Sequence, residues 1–98
     1  MKSKVPYATG YRAEREAFSQ LKDRGYLAIR SAGSHGTFDL VGVASWDVIL
    51  IQVKVIDYRA DRLFTKERAK IASIEVPSGV SKELWVYEKR RGWHYYEC

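Results

Sequence analysis

The 98 residues are enough for one domain with one modest core, and 46% hydrophobic against 30% charged residues is a globular balance that excludes a disordered chain. Seventeen Lys and Arg against twelve Asp and Glu leave a formal charge of +5, which favours a polyanionic partner. The single cysteine, Cys98, excludes an internal disulfide and a cysteine-based metal cluster, and no apolar run is long enough for a membrane span or a signal core. The expectation is one cytoplasmic domain over residues 1–98.

Residues 1–8 read as a loose basic arm. Residues 11–24 follow a helical period, with Tyr11, Ala17, Phe18 and Leu21 as the inward stripe and Gly25 as the stop. Residues 26–30 form a short strand, and 31–37, with Gly33, Ser34 and Gly36, a loop. Residues 38–44 and 47–55 are two strands joined by a tight turn. The second runs Val48-Ile49-Leu50-Ile51, apolar on both faces, as a central covered strand does. Residues 65–75 form a second helix with Thr65 as cap, stopped by Pro77, Ser78 and Gly79. Residues 83–88 and 93–97 close the chain as a hairpin. The order α-β-β-β-α-β-β predicts an α/β fold, a mixed central β-sheet flanked by helices.

Chemistry gathers where apolar patterning breaks. On the central strand Val48, Leu50, Gln52 and Lys54 share one side, so two polar groups interrupt a covered face and need partners. A turn centred between Ser45 and Trp46 sets Asp39 opposite Gln52, with facing side chains about 5 Å apart. Glu14 sits within the inward stripe of the first helix, where a carboxylate requires something positive; Glu16 falls on the outer face and reads as solvated. Glu14, Asp39 and Gln52 offer hard oxygen donors suited to Mg²⁺, with Mn²⁺ as substitute, and Lys54 adds an ammonium to orient water or offset developing charge. A plainer arrangement is also compatible: Asp39 and Lys54 as a cross-strand ion pair, Glu14 paired with an arginine.

The stretch Gly10-Tyr11-Arg12-Ala13-Glu14-Arg15-Glu16 resembles the opening helix of archaeal-type Holliday junction resolvases, of the PD-(D/E)xK nuclease superfamily. Arg30-Ser31-Ala32-Gly33-Ser34 is similar to a turn of that family, Phe38-Asp39-Leu40-Val41 to its apolar-flanked metal aspartate, and Ile51-Gln52-Val53-Lys54 to its Glu-x-Lys strand. The likeness spans residues 10–55; beyond it only the helix-then-hairpin pattern agrees. It implies a restriction-endonuclease-like fold, metal binding by Glu14, Asp39 and Gln52, and catalysis aided by Lys54 and Ser34. It further implies backbone contacts by Arg15, Arg30 and Ser34. The family usually has glutamate where this chain has Gln52; an amide still ligates a hard cation but brings no charge, so weaker metal binding is expected.

The implied activity is a Mg²⁺-dependent endonuclease that resolves four-way junctions by paired symmetric nicks, acting as a homodimer on branched DNA. Arg12, Arg15, Arg30, Arg59, Arg62, Lys66, Arg68 and Lys70 would contact phosphates, and His35 would lie near the DNA. Trp85, Tyr87, Trp93, Tyr95 and Tyr96 make the closing hairpin a candidate dimer face, with the second helix as the other. The alternatives are another nuclease of this fold acting at flaps, ends or duplex, a catalytically silent junction-binding module, and a structural subunit whose charged cluster is only ion pairs.

Overall fold

A computed structural model describes residues 6–31, 36–57 and 64–98, with side chains from Tyr11 onward. The elements are α1 (Pro6–Asp23), β1 (Leu27–Arg30), β2 (Leu40–Ala44), β3 (Asp47–Ile56), α2 (Thr65–Ala72), β4 (Val80–Glu88) and β5 (Gly92–Glu97). They form a five-stranded sheet in the order β1-β2-β3-β4-β5. All neighbours are antiparallel except β3 and β4, which α2 connects in parallel. This is the expected element order and the expected mixed α/β sheet.

The helix α1 starts at Pro6 rather than at Tyr11, so residues 6–8 belong to it and not to a loose arm; residues 1–5 lie outside the described residues. Proline suits a first helical position because its fixed φ is already helical and its missing N–H would have had no partner there. Gly25 ends the helix as expected. It adopts φ +96°, its N–H donates to Lys22 O at 3.0 Å, and the Tyr26 N–H reaches back to Leu21 O at 3.1 Å. These two bonds close a Schellman motif, which needs a residue free of a Cβ in the left-handed region.

The buried stripe of α1 is Ala13, Ala17 and Leu21, with Phe18 beside it. Tyr11 stands outward at 43% exposure, which corrects its assignment to the inward face. Ala17 and Leu21 pack with Leu40, Ile49, Ile51 and Trp85 into the main core. Gly42 makes this approach possible: a Cβ there would lie 2.9 Å from Ile49 Cγ2 and 3.0 Å from both Leu21 Cδ2 and Tyr26 Cδ2. Something must give at such distances, so a side chain there would displace Ile49, Leu21 or Tyr26 within the packed core.

On the other face, α2 packs Ile71 against Leu84 and Val86, with Phe38, Ile56, Phe64 and Tyr96 around them. The α2 helix stops at Ala72, short of Glu75, and its cap position is Phe64 rather than Thr65. Phe64 adopts φ 54°, ψ 44° and makes no side-chain cap bond. The other end is closed from outside: Lys82 Nζ of β4 donates to the carbonyls of Ile71, Ala72 and Ile74 at 3.1, 3.0 and 2.6 Å. An ammonium on the last carbonyls matches the negative end of the helix dipole. A tertiary cap of this kind leaves no mark in the local sequence.

Candidate active site

The aspartate at the entrance to β2 is fixed by three strands' worth of backbone. The N–H of Asp39 donates to Ile51 O at 2.8 Å, its carbonyl accepts from Ser31 N–H at 2.9 Å, and its Oδ2 accepts from Val53 N–H at 2.8 Å. The β2–β3 ladder pairs Leu40 with Ile51 and Ala44 with Asp47. That is the register expected from the turn, but it stops at Leu40. The Asp39 N–H bonds to Ile51 O, so Asp39 stands at the ladder's end beside Ile51 and not, as expected, paired with Gln52. Gln52 and Lys54 lie half-buried on β3, opposite Leu84 and Val86 of β4.

From the other side, α1 brings Glu14. It follows buried Ala13 and is itself half-buried at the margin of the helix's packed stripe. Burial pushes the Glu14 carboxyl up, the negative charge of Asp39 pushes it further, and the Arg30 guanidinium pulls it partly back. Asp39 is raised as well, by its own burial against the counter-pull of the Val53 N–H. Two carboxylates from different elements are thus held close enough to repel, in surroundings that solvate them poorly. A cation between them would reverse both penalties.

The donor chemistry at this spot is hard oxygen: two carboxylates, with Gln52 on the neighbouring strand β3. Among the described residues no group of three or more His, Cys, Asp or Glu side chains is arranged to hold a metal ion. The acid pair therefore has no third carboxylate beside it among the described residues.

Lys54 is not paired with Asp39. Its Nζ lies 3.9 Å from Glu67 Oε2 in the first turn of α2, with side-chain exposures of 38% and 35%. A pair this long and wet is weak, so it holds the ammonium only loosely. Glu67 had no signal in the sequence, because nothing local states where α2 lands on the sheet.

The arginines divide. Arg15 and Arg30 both lie over the Tyr11 ring, with Cζ 5.7 and 5.3 Å from its centroid. Arg12 is exposed on the outer side of α1, where it lines an open depression with Arg15, Glu16 and Ser19. Lys66 and Lys70 lie on α2, and Arg68 lies over the Tyr96 ring at 5.0 Å. Ser34, His35, Arg59 and Arg62 lie outside the described residues.

Other polar groups have structural work. Glu16 is not merely solvated: it accepts from Trp93 Nε1 at 3.1 Å, tying α1 to β5. Glu88, 2% exposed, is held by His94 Nε2 at 2.9 Å and Arg91 Nε at 3.8 Å. The hairpin aromatics split between faces: Trp93 and Tyr95 stack on each other and meet Trp85 edge-on beside α1, and Tyr96 lies against Phe64 under α2.

A family model described as archaeal Holliday junction resolvase matches residues 5–92. No curated protein gives a match. Among solved structures, Hjc of Archaeoglobus fulgidus, titled a Holliday junction resolvase from an archaeal hyperthermophile, superposes with a TM-score of 0.66 at 23% identity. The alignment covers 91% of this chain and 72% of that one. At that identity the likeness speaks for the fold, and the sheet order with its two helices agrees with it.

Proposed function

The chain belongs to the archaeal Holliday junction resolvase family, and from that premise we propose that it is a divalent-metal-dependent endonuclease that resolves four-way DNA junctions by paired symmetric nicks. The observation that carries this reading is the Glu14–Asp39 pair: two partly desolvated acids from a helix and a strand, each raised, each pushing toward a cation. Together with Gln52 on the facing strand they make a centre of the PD-(D/E)xK type. Glu14, Asp39 and Gln52 would hold Mg²⁺ or Mn²⁺. Such an ion, when bound, supplies an acidified water and neutralises charge on the phosphate under attack.

The protein's own groups do the rest. Lys54 Nζ, loosely held by Glu67, can donate to the attacking water or to a non-bridging phosphate oxygen as its charge grows. Arg15 and Arg30 present guanidiniums to the DNA backbone on the Glu14 side, and Ser34 contacts the phosphate near the cut. Arg12, Lys66 and Lys70 would add phosphate contacts that read backbone shape rather than bases, and His35 and Arg62, outside the described residues, are assigned the same role. In the reaction a water oxygen bonds to phosphorus as one strand P–O bond breaks, and the departing oxygen takes a proton.

Paired nicks require two centres, and a twofold dimer of this chain provides them. The supporting observation is an uncovered apolar sheet face. Leu40 and Gly42 face α1, so Val41 and Val43 face away, opposite Ile29 and Leu27. Leu27 is 65% exposed, with Ile29 and Val43 also open, while α2 sits over β4. An apolar strip of this kind on so small a chain marks a contact surface. It is favoured over the closing hairpin, of whose aromatics Trp85 is fully buried and Tyr95, at 44%, is the exposed one.

One observation favours a second reading. Gln52 removes a charge from the metal set, which suits a silent junction-binding module. Synthetic four-way junctions, flaps and linear duplex, each incubated with Mg²⁺ and with Mn²⁺, separate the cases. The proposal expects symmetric nicks in the junction and little cutting of duplex. Equal cutting of linear duplex would overturn junction resolution, and tight junction binding without nicks under either metal would establish the silent module.

A further inference from the structure

An aromatic ring standing in solvent beside a cluster of charges has a physical role to account for. Tyr11 is that ring. It is 43% exposed and contributes nothing to the core, although it lies on the same helix as the buried Ala13 and Ala17. Two guanidiniums take it as their common partner: Arg15, one turn on along α1, at 5.7 Å, and Arg30, at the end of β1, at 5.3 Å. Glu14 lies on the same turn, directly before Arg15, and the charge of Arg30 acts on its carboxylate.

Two like charges on separate elements repel, and long arginine side chains spread over many rotamers when nothing holds them. The negative face of an aromatic ring offers each guanidinium an attractive surface without consuming any of its N–H donors. A carboxylate partner would do the opposite: it would neutralise the charge and occupy the fork that recognises phosphate. Stacking therefore keeps both forks oriented and open, at the side of the acid pair where a negatively charged backbone must arrive.

We propose that Tyr11 is a positioning residue that holds Arg15 and Arg30 as a paired clamp for the DNA backbone beside Glu14. The inference rests on the nuclease reading of the Glu14–Asp39 site and adds to it the residue that organises its basic flank. The ring face does the holding, so phenylalanine in its place suffices, whereas leucine keeps an apolar side chain and removes the π surface.

The test compares wild type, Tyr11→Phe and Tyr11→Leu in binding and cleavage of a four-way junction, with affinity measured across a salt series. Tyr11→Leu is expected to weaken junction binding and raise KM about five- to tenfold, the scale set by two exposed cation–π interactions. It should flatten the salt dependence by about one released counterion or more, with kcat little changed. Tyr11→Phe should behave as wild type. Because Tyr11 is 43% exposed and takes no part in the buried core, thermal unfolding of all three should nearly coincide. If Tyr11→Leu keeps wild-type affinity and salt slope, or if Tyr11→Phe is as impaired as leucine, the clamp is wrong. If wild type itself neither binds nor cuts the junction, the nuclease reading fails first, and the two failures are told apart by that control.

Discussion

The two ends of the β2–β3 hairpin each carry an aspartate, and they are treated in opposite ways. At the turn, Asp47 accepts from the Tyr26 hydroxyl at 2.6 Å and from Ser81 Oγ at 2.9 Å. Both oxygens are served, and the same bond raises the Tyr26 hydroxyl pKa. At the open end, Asp39 receives one backbone N–H on one oxygen and faces a second carboxylate, Glu14. One acid is satisfied by neutral donors and closes a structure. Among the described residues the other has only that N–H to offset its burial, an arrangement that costs stability and often accompanies a site kept for a ligand. The same residue type on the same hairpin thus stands in two different donor environments, and the proposed function assigns chemistry to the less satisfied one.

The largest expected effects break this comparison directly. Asp39→Ala should cut junction cleavage on the order of a thousandfold or more while junction binding and folding persist. Asp47→Ala should do the reverse: cleavage within about twofold, but a loss of about 2–4 kcal/mol in urea unfolding as two hydroxyls lose a charged acceptor. If Asp47→Ala abolished cleavage in a folded protein, the division of labour would be wrong. Next, Gln52→Glu should tighten Mn²⁺ or Mg²⁺ binding by about tenfold, since it returns a charge to the donor set. An unchanged affinity by calorimetric titration would remove Gln52 from the metal ligands.

Smaller effects sharpen the same contrast. Both acids of the site are raised, so the stability they contribute is fully present below their ordinary values, about pH 4, and is lost as pH rises through the raised ones. At neutral pH without metal, Asp39→Asn keeps an acceptor for the Val53 N–H yet drops the repulsion, so it should melt higher than wild type. The gap should close near about pH 3 and again when Mg²⁺ is added. Melting curves across pH check the sign; a lower Tm for the variant at neutral pH contradicts it. Smallest of all, Glu67→Gln removes only a long, wet ion pair with Lys54. Its cost in unfolding should stay below about 0.5 kcal/mol, with cleavage rates near wild type.

Patterning carried most of the fold. The β2–β3 register from Leu40 to Asp47 followed from one tight turn, because a period-two ladder leaves no freedom once the turn is set. The further step that would pair Asp39 with Gln52 failed, since the Asp39 N–H turns to Ile51 O at the strand's entrance. Gly25 as a helix stop was equally legible, being a local event. The other failures were non-local. Tyr11 fits a helical stripe by spacing, but only the sheet decides which part of the stripe is covered, and the covered part is Ala13, Ala17 and Leu21. The end of α2 is set by Lys82, reaching back from the next strand, and its start by a left-handed Phe64 that no propensity suggests. Glu67 beside Lys54 and the buried Glu88 with His94 needed the packing of α2 and β5 to be known.

That Glu14 and Asp39 form one cation site is the central claim. Calorimetric titration of Mg²⁺ and Mn²⁺ into wild type, Glu14→Gln and Asp39→Asn tests this most directly. The predicted result is saturable binding in wild type that disappears in each single variant, with all three folded. Heats of the same size and midpoint in all three proteins would contradict it.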